Sequence, residues 1–91
     1  MVIIALHFAS FSILLIGGTQ IKRFTDQPIV FDDVSITNDG TSDIIFGDGT
    51  TMKQFLRNRS TVDYKSLDIL QFWMNCPTGS AIVSCSGTWS D

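Results

Sequence analysis

Ninety-one residues allow one small domain, because short chains bury a smaller share of their surface and domains cluster near 100 to 150 residues. Apolar residues make up 44% of the chain, charged ones 16%, and the net charge is −3, which favours neither a disordered chain nor a basic nucleic-acid-binding domain. All nine acids are Asp, Ala occurs three times, and Ile, Val and Thr together fill 25 positions, so the composition is poor in helix formers and rich in strand formers.

Residues 1–16 hold 13 of the 40 apolar residues and no formally charged side chain. As a helix this run would span roughly 24 Å against the ~30 Å of a bilayer core, which is short for a transmembrane span and suits a signal h-region. Gly17 and Gly18 offer small residues for processing, but no Lys or Arg precedes the run, and Lys22 and Arg23 follow it. Three readings stand: a signal peptide, a retained anchor or assembly-buried segment, and an ordinary core strand. The expected division is an apolar signal-like or anchor segment over 1–18 and a single β-rich domain over 19–91.

Beyond Thr19 the chain reads as strands and turns. Val34-Ser35-Ile36-Thr37 alternates apolar with polar, which places Val34 and Ile36 on one strand face. Asn38-Asp39-Gly40 fits a tight hairpin turn, so Asp43 to Phe46 is expected to return antiparallel. Gly47-Asp48-Gly49 marks a second turn, with a third strand over Thr50 to Leu56. From Ser66, Leu67, Leu70, Trp73 and Met74 match a helical face while Leu67 and Ile69 match a strand. Phe72-Trp73-Met74 is too apolar to stand exposed and is expected in the core or at an interface.

Cys76 and Cys85 flank a segment containing Pro77 and Gly79 that can turn, so a disulfide is the natural expectation, worth roughly 2.5 to 3 kcal/mol for a loop of about ten residues. A zinc site lacks ligands, since His7 is the sole histidine. The catalytic inventory is thin: there is no Gly-x-Ser-x-Gly elbow, and the adjacent Asp32 and Asp33 on a strand would point to opposite faces. No enzyme activity, cofactor or metal is expected. Asn38, Asp39, Asp43 and Asp48 raise a calcium question around the glycine corners, against which stands a reading as solvated hairpin turns.

Several fragments resemble known families. Asp43 to Gly49 is similar to one turn of the acidic nonapeptide calcium repeats, with Thr41 at a position usually held by Gly. Phe46-Gly47-Asp48-Gly49-Thr50-Thr51 resembles the opening of the collar motif of bacteriophage tail-fibre proteins, although Phe55 to Arg59 lacks the Pro and Gly that follow it there. Ile82 to Trp89 resembles the C-terminal ends of type IV pilus-tip adhesins and the last Cys and Gly-x-Trp of complement-control modules. These likenesses imply extracellular, disulfide-stapled, β-rich binding without catalysis.

Asn58-Arg59-Ser60 fits an N-glycosylation acceptor in a eukaryotic secretory route. Arg57 and Arg59, with Lys53 and Lys65 nearby, form the sole basic cluster of the chain. Trp73 and Trp89, near the Cys76 to Cys85 loop, are the best aromatic anchors for a partner. The overall expectation is a small, mainly β, antiparallel protein, a disulfide-stapled β-sandwich that is secreted and located extracellularly or at a cell or virion surface. It would act as an adhesin-like or structural binding or assembly module, with a protein or glycan ligand, copies of itself or other subunits as partners and no nucleic acid. The rival is a membrane-anchored small subunit of a larger complex, held through residues 1–16.

Overall fold

The apolar run near the N-terminus carries Ser10 and Ser12 at alternate positions, and alternate residues of an extended chain face opposite ways. In the computed structural model, which describes residues 6–18, 21–49 and 54–90, this run is strand β1 (Leu6–Ile16). Its inward set is His7, Ala9, Phe11 and Ile13, half-buried, and Leu15, buried; its outward set is exposed throughout. The segment that the sequence sets apart as signal-like or anchoring is therefore, over these residues, an integral strand of a sheet.

Six further strands follow: β2 (Val30–Asn38), β3 (Ile44–Gly47), β4 (Gln54–Leu56), β5 (Thr61–Asp68), β6 (Trp73–Asn75) and β7 (Ser80–Ser90). They form a four-stranded sheet in the order β1-β7-β2-β5 and a three-stranded sheet in the order β4-β3-β6, with every pairing antiparallel. The described residues contain no α-helix; Ile69–Gln71 form one 3-10 turn whose Leu70 amide donates to the Asp68 carboxylate. The mainly β, antiparallel expectation holds. β1 and β7 pair over eleven residues, from Leu6 opposite Ser90 to Ile16 opposite Ser80.

One core lies between the sheets. Phe31, Val34, Ile36, Leu67, Val83 and Cys85 enter it from the larger sheet and its connections, and Ile44, Phe46, Leu56 and Met74 from the smaller. Val34 and Ile36 share the buried face, as their spacing predicts, and Phe72 and Met74 are fully buried. Phe72 is the aromatic hub, stacked on Phe24 and Phe46 and meeting Tyr64 edge-on.

The Asn38-Asp39-Gly40 segment is not a hairpin turn. β2 pairs with β5 and β7, whereas β3 pairs with β4 and β6, so this segment carries the chain from one sheet to the other. Asn38 is fully buried and fixes the corner: its amide nitrogen donates to the carbonyls of Ser42 and Leu56, and its side-chain oxygen accepts from the Gly40 amide. Gly40 lies so close to β7 that a Cβ would come within 2.3 Å of the Ala81 Cα, which bars any larger residue. β3 and β4 do pair antiparallel, Phe46 opposite Gln54; of the expected third strand over Thr50 to Leu56 the structure shows Gln54–Leu56, and residues 50–53 lie outside the described residues.

Candidate functional site

The two cysteines are buried and unbonded, which overturns the expected staple. The turn at residues 76–79 sits at one end of the larger sheet, where the Cys76 carbonyl accepts from the Gly18 amide and the Gly79 carbonyl from Gly17. β7 then runs straight, and Cys85 lies opposite Phe11, five residues beyond the Ile16–Ser80 pair. Five strand residues cover about 16 Å, so β7 carries Cys85 well away from the sheet end where the 76–79 turn sits, whereas a disulfide needs the two Cα atoms within roughly 4.4 to 6.8 Å. Burial pushes the Cys76 thiol up and the Cys85 thiol up to about 11, so neither is a ready nucleophile near neutral pH. A reductant therefore has no bond to break here, and the structural support for an oxidising compartment goes with it.

The sequence groups Trp73, Trp89 and the Cys76 to Cys85 loop as one recognition region, and the strand geometry carries Trp89 away from the other two. Trp89 is nine residues into β7, about 30 Å from the 76–79 turn at ~3.3 Å per residue. It faces inward, half-buried, stacked on His7 at 5.2 Å between ring centroids and set edge-on to Phe31 at 5.5 Å. Trp73 pairs with Gly47 across β6 and β3 and lays its indole over that residue, where a Cβ would come within 2.2 Å of its Nε1. Each ring is used, at least in part, to cover its own sheet.

Arg57, Asn58 and Arg59 lie together and exposed in the turn between β4 and β5. The Asn58 amide donates to the Asp43 carboxylate, the Arg59 amide to the Asn38 carbonyl, and Arg59 adopts a positive φ of 62°. Lys65 stands apart, near the far end of β5, paired with Asp33 at 2.6 Å; Lys53 lies outside the described residues. The calcium candidates hold the fold instead of converging. Asn38 is committed to the sheet corner, Asp43 accepts from Asn58, and Asp39 accepts from the Ser84 hydroxyl. Among the described residues no group of three His, Cys, Asp or Glu side chains is placed to hold a metal ion. Tyr64, pushed up to about 12 by burial and by the neighbouring Asp48, stays a neutral phenol. Asp32 and Asp33 are both exposed, contrary to simple alternation, because β2 and β5 change phase together at Asp32–Asp33 and Lys65–Ser66. Ser66 makes this possible with a φ of 59°.

The feature that sequence reasoning missed is the outer face of the larger sheet. The register places Ser10, Ser86, Ser35 and Asp63 in one row across β1, β7, β2 and β5, and Ser12, Ser84, Thr37 and Thr61 in the next. The hydroxyls are within reach of one another: Ser12 with Ser84 at 3.4 Å, Thr37 with Thr61 at 2.9 Å, and Ser35 donating to Asp63. Short side chains leave a shallow open depression of about 510 Å³ over the centre of this face. The flanking rows differ: Leu14 lies opposite Ile82 in the row after, while the row before runs from Phe8 through Thr88 to the exposed Asp33–Lys65 pair. The signal was the alternation of hydroxyls in Ser10-x-Ser12, Ser35-x-Thr37 and Ser84-x-Ser86, which shows as a face only once the strand order is known.

No protein-family model matches the chain, and no curated protein matches it. Among the described residues no helix is long and apolar enough to cross a membrane.

Proposed function

We propose that the protein is a non-catalytic binding or assembly module that presents the outer face of its four-stranded sheet to a protein or glycan at a cell, virion or appendage surface. The supporting observation is the two-row field of hydroxyls and one carboxylate, made of short side chains on a paired sheet. Hydroxyls both donate and accept hydrogen bonds, and a face preorganised by β-pairing spends little ordering entropy on contact. Asp43, the Asp33–Lys65 pair and the two cysteines, by contrast, are held in a sheet corner, a strand pair and the core. The alternative, a membrane-associated small subunit of a larger complex, is favoured by the outward Leu6, Phe8, Leu14 and Ile16 of β1.

Binding of the full chain to arrayed glycans and to candidate surface proteins, with Ser84→Lys and Ser35→Lys as comparators, tests this reading. Ligand binding that both substitutions abolish without moving the thermal midpoint supports it. Binding that survives both would remove the outer face from consideration.

A further inference from the structure

We infer that the open edge of β1 is a self-pairing edge, on which a second copy of this chain docks antiparallel about a two-fold axis at Phe11 and continues the four-stranded sheet across both molecules. The inference rests on the assembly half of the reading above.

No described strand occupies the outer edge of β1, and its eleven residues contain no Asp, Glu, Lys, Arg or Pro. Such an edge has none of the devices by which sheet proteins block further pairing. Its outward side chains are also symmetric in kind: two apolar, two Ser, two apolar, in the order Leu6, Phe8, Ser10, Ser12, Leu14, Ile16. An antiparallel pairing centred on Phe11 sets Leu6 opposite the partner's Ile16, Phe8 opposite the partner's Leu14 and Ser10 opposite the partner's Ser12. Apolar meets apolar and hydroxyl meets hydroxyl along the whole strand, as an isologous interface requires. On the inner side the small Ala9 meets the partner's larger Ile13, and the two Phe11 rings meet on the axis. A shift of one residue sets the outward row of one copy against the inward row of the other, so this register is specified by the pattern.

The area is sufficient. At ~3.3 Å per residue the edge is about 36 Å long, and with the side-chain rows on both faces it offers on the order of 500 to 600 Å² per copy, which clears the ~1,000 Å² total that a specific interface needs. The apolar side chains that pairing would cover are open in the single chain: Leu6 is 73% exposed, Phe8 69%, Leu14 58% and Ile16 76%. A lipid surface is the poorer occupant, because the hydroxyl rows interrupt the apolar residues at the centre of the face.

Sedimentation equilibrium of the full chain across a concentration series, with register-specific variants, decides the matter. A species of twice the 10.1 kDa chain mass is expected to grow with concentration. Phe8→Lys should weaken association at least tenfold at an unchanged thermal midpoint. Adding Leu14→Asp to that variant should restore it, because each Lys then faces the partner's Asp. Should the lysine variant not fold, mixing a Ser10→Cys chain with a Ser12→Cys chain under oxidation still reads the register, with crosslinks expected in the mixture and few in either alone. A chain that stays monomeric to millimolar concentration, a dimer indifferent to Phe8→Lys without the mixed crosslink, or a monomer that cosediments through Phe8 with phosphatidylcholine vesicles would overturn the inference. Any of these leaves glycan or protein binding by the hydroxyl face to be judged on its own variants.

Discussion

The larger sheet ends in two edges of unlike construction. β1 carries no formally charged side chain over eleven residues, alternates regularly, and contributes only Leu15 as a fully buried residue. β5 carries Asp63, Lys65 and Asp68, breaks its alternation at the positive φ of Ser66, and is backed by Tyr64 against the Phe72 hub. Charge and a backbone irregularity are the usual means of blunting an exposed strand, so β5 is closed to further pairing and β1 is not. The lesson is that an edge can be held firmly by its own sheet and still be left chemically open on its outer side.

The largest expected effect falls on the closed side. Phe72→Ala removes the ring on which Phe24, Phe46 and Tyr64 converge, and denaturant unfolding should show a loss of about 3 to 5 kcal/mol. A loss under about 1 kcal/mol would show that the hub does not back β5. On the open side, Trp89→Ala should cost about 2 to 3 kcal/mol, because the half-buried ring packs on His7 of β1 and on Phe31. An unchanged midpoint with lost ligand binding would instead make Trp89 a contact residue. Between the sheets, Asn38→Ala leaves the buried carbonyl of Leu56 and the part-buried carbonyl of Ser42 without their donor and should cost about 1 to 3 kcal/mol in the same assay.

Alkaline pH acts on both regions through Cys85 and Tyr64. Each is an acid held in its neutral form by burial, with a folded pKa above the unfolded value: about 11 against 9.0 for Cys85 and about 12 against 10.0 for Tyr64. The stability they confer is complete below about pH 9 and is lost as pH rises through 9 to 12. Thermal melts should therefore show a midpoint insensitive to these groups up to pH 8 and falling above pH 9, and a Cys85→Ala chain should fall less steeply between about pH 9 and 11. The smallest effect belongs to the exposed Lys65–Asp33 pair. Lys65→Ala should leave the thermal midpoint unmoved, and a measurable loss would mean that the charges on β5 stabilise the fold as well as shielding its edge.

How much the sequence foretold depends on whether the deciding contact was local. The Val34 and Ile36 face, the burial of Phe72 and Met74, and the antiparallel return of β4 on β3 follow from periodicity and turn chemistry within a few residues. Asn38-Asp39-Gly40 has the composition of a hairpin, but what fixes it is an amide bonded to the carbonyls of Ser42 and Leu56, the second of them eighteen residues away. The spacing of Cys76 and Cys85 permits a loop, while the continuous pairing of β7 with β1 from Ser80 onward holds the thiols apart. In residues 6–16 the density of apolar side chains hides the alternation that Ser10 and Ser12 reveal once β7 lies alongside. The hydroxyl face needed four strands, distant in sequence, to be set in order before it existed at all.

Hydrogen–deuterium exchange of the β1 and β5 amides, followed at high and low protein concentration, tests the open edge most directly. In a single chain only the amides of β1 that point toward β7 are bonded, and those on the outer side exchange freely. The account predicts that at high concentration the outward amides of β1 slow together with their inward neighbours, and that they quicken on dilution while the outward amides of β5 stay fast throughout. Outward β1 amides that exchange as fast as those of β5 at every concentration would contradict it.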